Sequence, residues 1–216
     1  PVLAVGGAIA IGLSRPEALS AAAPLLLAWL VGPVMAWWSG REIDQDIEQL
    51  SAAERAEIHR VARKTWHFFD TQLGEGDNWL PPDNLQEVPT PVLAHRTSPT
   101  NIGLALLSNL AAWDFGYIGS ADLLLRGGNT LRAMDRLERY RGHFLNWYDT
   151  QTLQPLSPRY VSSVDSGNLA GHLLVLRAGL HALADAPLLN PRWAQGLLDS
   201  LAAMASVFGE SLPAPL

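Results

Sequence analysis

Residues 100–113 read "TNIGLALLSNLAAW", and no charged side chain occurs anywhere between Arg96 and Asp114. Residues 166–184 read "SGNLAGHLLVLRAGLHALA" and have the same character, with Arg177 the single full charge between Asp165 and Asp185. Both stretches are long enough for several helical turns, and a helix that is apolar all round is buried all round. Ser98 can cap the first of them, and Pro99 suits its first position, where the missing N–H would have no partner anyway.

The helices around these two are of a different kind. Ser51 and Glu54 form a capping box, each side chain able to satisfy a backbone donor at a helix start. That helix runs to about Leu73, with Ile58, Val61, Ala62, Thr65 and Phe69 on one face and Glu54, Glu57, Arg60 and Lys64 on the other. A helix over Ala121–Glu138 places Leu124, Leu131, Met134 and Leu137 together, with Arg126, Arg132, Arg136 and Glu138 elsewhere. Asn190 and Pro191 open a last helix, with Trp193, Leu197, Leu201, Met204 and Phe208 as its stripe. Amphipathic and fully apolar helices therefore alternate. The connections alternate too: residues 74–97 and 139–164 are long and lead into the apolar helices, while 114–120 and 185–189 are short and lead out. The pattern predicts an all-α fold. We expect an incomplete (α/α)6-type toroid of about five helices, alternately outer and inner, over residues 51–216, with the long loops gathered at one end. A plain bundle and an α-solenoid are the alternatives; no fixed repeat period supports the latter.

Residues 1–38 carry only Arg15 and Glu17 as charged side chains. "LSAAAPLLLAWLVGPVMAWW" (residues 19–38) is uncharged over 20 residues, enough to cross a bilayer. Trp29, Trp37, Trp38 and Arg41 suit an interface. "PVLAVGGAIAIGL" (residues 1–13) is too short to span alone and reads as the end of a second span. Residues 1–39 are thus expected to hold one or two membrane-spanning helices, and 40–50 a juxtamembrane linker helix. A buried hairpin of a soluble core is the alternative.

Composition excludes several functions. The net charge of −6 without a basic run disfavours nucleic acid. No cysteine is present, so disulfides and thiolate metal sites are ruled out, and the six histidines lack zinc-site spacing. No metal site is expected.

Chemistry concentrates in the two long loops, which lie on the face where function is usually carried. In the second, Trp147, Tyr148, Asp149, Asp165 and Asn168 form a plausible saccharide-binding set: flat rings stack on sugar faces, and carboxylates and amides hydrogen-bond hydroxyls. Each also has a structural alternative. Asp165 or Ser166 can cap the helix, Trp147 and Tyr148 can pin the loop, and Asp149 can make an Asx-turn. The first loop offers Trp79, Asp83, Asn84, Arg96 and Asn101. Glycoside chemistry normally needs two carboxylates about 5–10 Å apart, and Asp149 and Asp165 are available as catalytic candidates.

"NWLPPDNLQE" (78–87), "AHRTSPTNIGL" (94–104) and "RGHFLNWYDTQTLQPLSPRYVSSVDSGNLAGHLL" (141–174) resemble the glycoamylase-like region of cyclic β-1,2-glucan synthases. The resemblance covers about residues 40–210. It implies a large protein of the bacterial inner membrane, with this α/α-toroid region on the cytoplasmic side. The implied activity is synthesis and cyclisation of β-1,2-glucan from UDP-glucose, the toroid contributing the transglycosylation that closes the ring. It implies a β-1,2-glucan chain, the lipid bilayer and the remaining domains of the same polypeptide as partners, and no cofactor in this region. A toroid that only grips glucan, or a helical scaffold with an inert loop, are the competing functions.

Overall fold

A computed structural model describes residues 1–41, 50–187 and 190–208, with side chains through residue 206. The chain divides into two compact units, residues 1–49 and 50–216. The linker helix expected over residues 40–50 falls on residues 42–49, which lie outside the described residues.

The first unit is an apolar helical hairpin. Helix α1 (Val2–Ser14) and helix α2 (Leu19–Ser39) pack together through a 3-10 turn at Pro16–Ala18. From Pro16 to Ser39 the chain is helical over 24 residues and none of its most apolar window is buried. At about 1.5 Å per residue this is long enough to cross a hydrocarbon core of ~30 Å. Val2, Leu13, Val34, Met35, Trp37 and Trp38 are all more than half exposed. That much uncovered apolar surface fits a helix that crosses a membrane. The Arg41 guanidinium lies 4.0 Å over the Trp37 ring, at the end of the apolar run.

Among the described residues the second unit has five α-helices: α3 (Ala52–Gln72), α4 (Pro99–Asp114), α5 (Ser120–Arg136), α6 (Ser163–Ala184) and α7 (Trp193–Phe208). The expected capping box forms at Ser51 and Glu54. Ser98 caps α4 through the Asn101 amide, and Pro99 occupies the first turn. The cap of α6 is Ser162, which accepts from the Asp165 amide, and neither Asp165 nor Ser166 fills that position.

Helices α4 and α6 form the central pair. Gly103 of α4 faces His172 of α6, and Gly179 of α6 faces Leu110 of α4, so each helix is bare where the other is bulky. Ile102 and Leu106 are fully buried between them, together with Leu80 and Tyr148 from the loops and Met134 from α5. Burial of each such aliphatic side chain contributes about 1.5–3 kcal/mol. Helix α3 covers another side: Trp66 is buried, with Arg126 of α5 5.0 Å over its ring and bonded to the Phe69 carbonyl.

Helix α7 docks on α3 through a polar seam. His59 Nδ1 lies 2.7 Å from the buried Asp199 carboxylate, which also accepts from Tyr117 and Gln195, and Arg63 donates to Ser200. Burial, reinforced by the Asp199 charge, pushes the Tyr117 hydroxyl well above its usual pKa.

Helix α4 is buried along most of its length but not all round, since Leu104 and Ala111 are exposed. Helix α6 is buried far less. Only Leu169 and Leu176 are buried, while Val164, Leu174 and Val175 are more than half exposed. Its sequence is apolar on more sides than the described residues cover.

The loops also contain six two-residue strands in three antiparallel pairs: β1 (Leu85–Gln86) with β2 (Val92–Leu93), β3 (Arg96–Thr97) with β6 (Tyr148–Asp149), and β4 (Arg139–Tyr140) with β5 (His143–Phe144). The β3–β6 pair joins the two long loops, setting Arg96 opposite Asp149 and Thr97 opposite Tyr148.

Candidate functional site

The β3–β6 pair and the first turns of α4 and α6 bring most of the expected residues into one neighbourhood. Arg96 leaves β3 and donates twice to Asp83 Oδ2, at 3.2 and 2.9 Å. Its guanidinium lies 5.2 Å over the Trp147 ring. Asp83 also accepts from Asn84 and, at its other oxygen, from Asn101 in the first turn of α4. One carboxylate thus fixes an arginine, two amides and, through the arginine, an indole. Trp147 is half-buried and Arg96 exposed, so this group is open to a ligand.

A second group adjoins the first along the chain. Thr100, next to Asn101, donates to Asp165 Oδ1 at 2.5 Å and accepts from Asn168 Nδ2 at 3.1 Å. These bonds link the first turn of α4 to the first turns of α6.

The strand pleat corrects one expectation. Successive strand side chains point to opposite faces. Trp147 and Asp149 therefore point outward while Tyr148 points in and is fully buried. Its hydroxyl accepts from the Leu145 amide at 2.6 Å and donates to the Glu138 carbonyl at 2.7 Å. Burial pushes its pKa up. Tyr148 pins the loop from beneath and offers a ligand nothing.

Asp149 is outward but occupied. Its Oδ1 accepts from the amides of Gln151 and Thr152 and from the Thr152 hydroxyl, at 3.0, 2.7 and 2.9 Å. The Thr152 amide above all holds this carboxyl below the usual range; burial opposes it, and the Thr152 hydroxyl and Gln151 amide add to it. An Asp held ionised in this way is unsuited to donate a proton. With Asp165 bonded to Thr100, both candidate carboxylates have structural partners.

One further cluster carries no signal in the sequence. Asp77 is buried and bonds both His95 Nδ1, at 2.7 Å, and the Thr150 hydroxyl. The Thr150 amide donates to the His95 carbonyl at 3.1 Å. Three loop segments meet at this carboxylate. The residues are far apart in sequence and follow no motif spacing, so only the fold reveals them. Among the described residues no group of histidines and carboxylates could hold a metal ion.

The structure defines an α-helical unit whose two long loops are welded into one polar, tryptophan-bearing face, preceded in sequence by an apolar hairpin. No family model matches the chain. Over 191 residues, 88% of its length, it is 44% identical to the cyclic beta-(1,2)-glucan synthase NdvB of Rhizobium meliloti (strain 1021). The chain belongs to the cyclic β-1,2-glucan synthase family over this segment, and it spans 7% of that relative's length.

Proposed function

We propose that this segment binds a β-1,2-glucan chain on the loop face within a membrane-attached glucan synthase, as part of an α/α toroid. The observation that carries the reading is the Trp147–Arg96–Asp83–Asn101 chain of contacts. It sets an indole ring beside donors and acceptors held at fixed angles, and that combination suits a polyhydroxylated ring with apolar faces. Asn168 and Asp165 extend the same face. The relative's name favours a glucan as the ligand, and the geometry of the loop face supports its binding there.

The finer reading is that the segment holds glucan for the transglycosylation that closes the ring, UDP-glucose being the donor elsewhere in the polypeptide. The toroid lies on the cytoplasmic side of the bacterial inner membrane, which the hairpin spans. The structural engagement of Asp149 and Asp165 favours holding glucan over cleaving it with these two groups.

The test is binding of linear β-1,2-glucan to the 216-residue chain in a sugar-free detergent. Trp147→Ala is expected to weaken binding by roughly 1–3 kcal/mol, the scale of a buried aromatic contact, with unchanged helical content. Normal binding by that variant removes the loop face from the reading.

A further inference from the structure

An open cleft of about 550 Å³ lies between residues 75–79, at the start of the first long loop, and one side of α5. It is lined by Trp79, Asn78 and Glu75 on one wall and by Asn129, Arg132 and Asp135 on the other. We propose that this cleft is a second saccharide site, taking a neutral glucan segment against the Trp79 indole. The identity of the ligand rests on the function proposed above; the place of the site does not.

The backbone at Asn78 and Trp79 is the first argument. Their φ angles are +53° and +61°, two adjacent non-glycine residues in the left-handed region. A bulky side chain there is an outlier, and glycine would fit without strain. The conformation is held from several sides. The Trp79 amide donates to the Gly74 carbonyl, and the Trp79 carbonyl accepts from the buried Thr130 hydroxyl. Asn78 donates to the carbonyls of Thr150 and Gln151 and accepts from Arg136. Strain that surroundings enforce in this way concentrates at functional sites. Here it sets a large indole in the wall of a cleft, where backbone geometry alone would select glycine.

The facing wall is the second argument. Arg132 and Asp135 are exposed on α5, and the Arg132 guanidinium reaches the Asn129 amide oxygen. Two acidic and two basic side chains line the cleft, counting Arg136, so their charges cancel. Balanced charge gives no net attraction for an anion such as a nucleotide or phosphate. An aromatic ring flanked by amide, guanidinium and carboxylate groups suits a neutral ligand with hydroxyls around an apolar face.

The two sites are adjacent through one turn. Asn78 bonds the carbonyls of Thr150 and Gln151, and Asp149 of the loop face anchors that same turn. Two separate aromatic stations would let one domain hold a long glucan at two points and raise its effective concentration at each.

Site-resolved binding tests this. The 216-residue chain is labelled with 5-fluorotryptophan in sugar-free detergent and titrated with short linear β-1,2-gluco-oligosaccharides under fluorine NMR. Trp79→Gly and Trp147→Ala assign the two resonances, and the glycine variant also relieves the backbone strain. Both resonances are expected to shift. Arg132→Ala, an exposed change, should raise the Kd read at Trp79 about tenfold, the scale of one charge-assisted hydrogen bond, and leave the Kd read at Trp147 unchanged. A Trp79 resonance that stays fixed while Trp147 shifts overturns the second site and leaves the loop face standing. A Trp79 Kd unaltered by Arg132→Ala overturns it too. A shift at Trp79 alone supports the second site and sinks the loop face, and no shift at either overturns both.

Discussion

Replacing Gly103 by alanine pits helix propensity against helix packing. In an exposed helix interior, glycine to alanine stabilises by about 0.5–1 kcal/mol. At Gly103 the new Cβ would lie 2.2 Å from His172 Nδ1, 2.9 Å from Cγ and 3.0 Å from Cβ. Carbon contacts are most favourable at about 3.5–4.0 Å. Rotating the imidazole would clear the first two clashes, but the His172 Cβ is fixed to the α6 backbone. The helices must therefore separate along a seam that holds Ile102 and Leu106. Overpacking of this sort costs about 1–3 kcal/mol. After the propensity gain is subtracted, Gly103→Ala should destabilise by up to about 2.5 kcal/mol. For a chain of this size that lowers the melting temperature by up to about 10 °C. Gly179→Ala should do less, because the atoms it meets are the flexible end of Leu110, at 2.4 and 2.8 Å. Gly127→Ala and Gly171→Ala meet nothing within 4 Å and serve as controls that should raise the melting temperature. The assay is thermal unfolding followed by circular dichroism, all five proteins in the same detergent. A Gly103→Ala protein that melts above wild type, like the controls, would refute the close-packed α4–α6 seam.

Other outcomes follow from single contacts. Tyr148→Phe removes the hydroxyl that joins the Leu145 amide to the Glu138 carbonyl, so it should cost about 1–3 kcal/mol in a melt while leaving glucan binding intact. Asp199→Ala strips His59, Tyr117 and Gln195 of their common acceptor, and limited proteolysis should then cut near α7 faster than in wild type. Asp149 has a folded-state pKa below its unfolded value of about 3.9, so its stabilisation is complete above that pH and is lost as pH falls through the folded value. The melting difference between wild type and Asp149→Asn should therefore be present at neutral pH and shrink under strong acid; an equal difference at both would show that the charge is irrelevant.

The helices of the second unit are legible because caps are local signals, but their buried faces are not: Leu124 of α5 and Trp193, Leu197 and Met204 of α7 are more than half exposed. Ser51 with Glu54 and Ser98 with Pro99 mark two starts correctly. The start of α6 was harder: residues 162–168, "SSVDSGN", offer several side chains able to cap, and only the fold selects Ser162. Two-residue strands are shorter than any alternation that could reveal them, so the β3–β6 pair is invisible in the sequence, and only the fold decides that Tyr148 pins the loop while Trp147 faces outward. Trp147 and Arg96 both stand out in the sequence, yet their stacking depends on residues 51 apart meeting across that pair. Asp77 and His95 lie further still from motif logic. Their pairing answers the burial of a carboxylate, and burial is a property of the packed state.

Asp77 and the β3–β6 pair have a mechanical consequence. The His95 and Thr150 backbones are joined, their side chains share one buried carboxylate, and Arg96 runs opposite Asp149. Neither loop can swing without dragging the other or breaking a bond to Asp77. The face therefore behaves as a plate rather than as two flaps, and a sugar arriving there meets contacts already in place. Little ordering accompanies capture, so a change to the plate should alter how long a chain stays far more than how fast it lands.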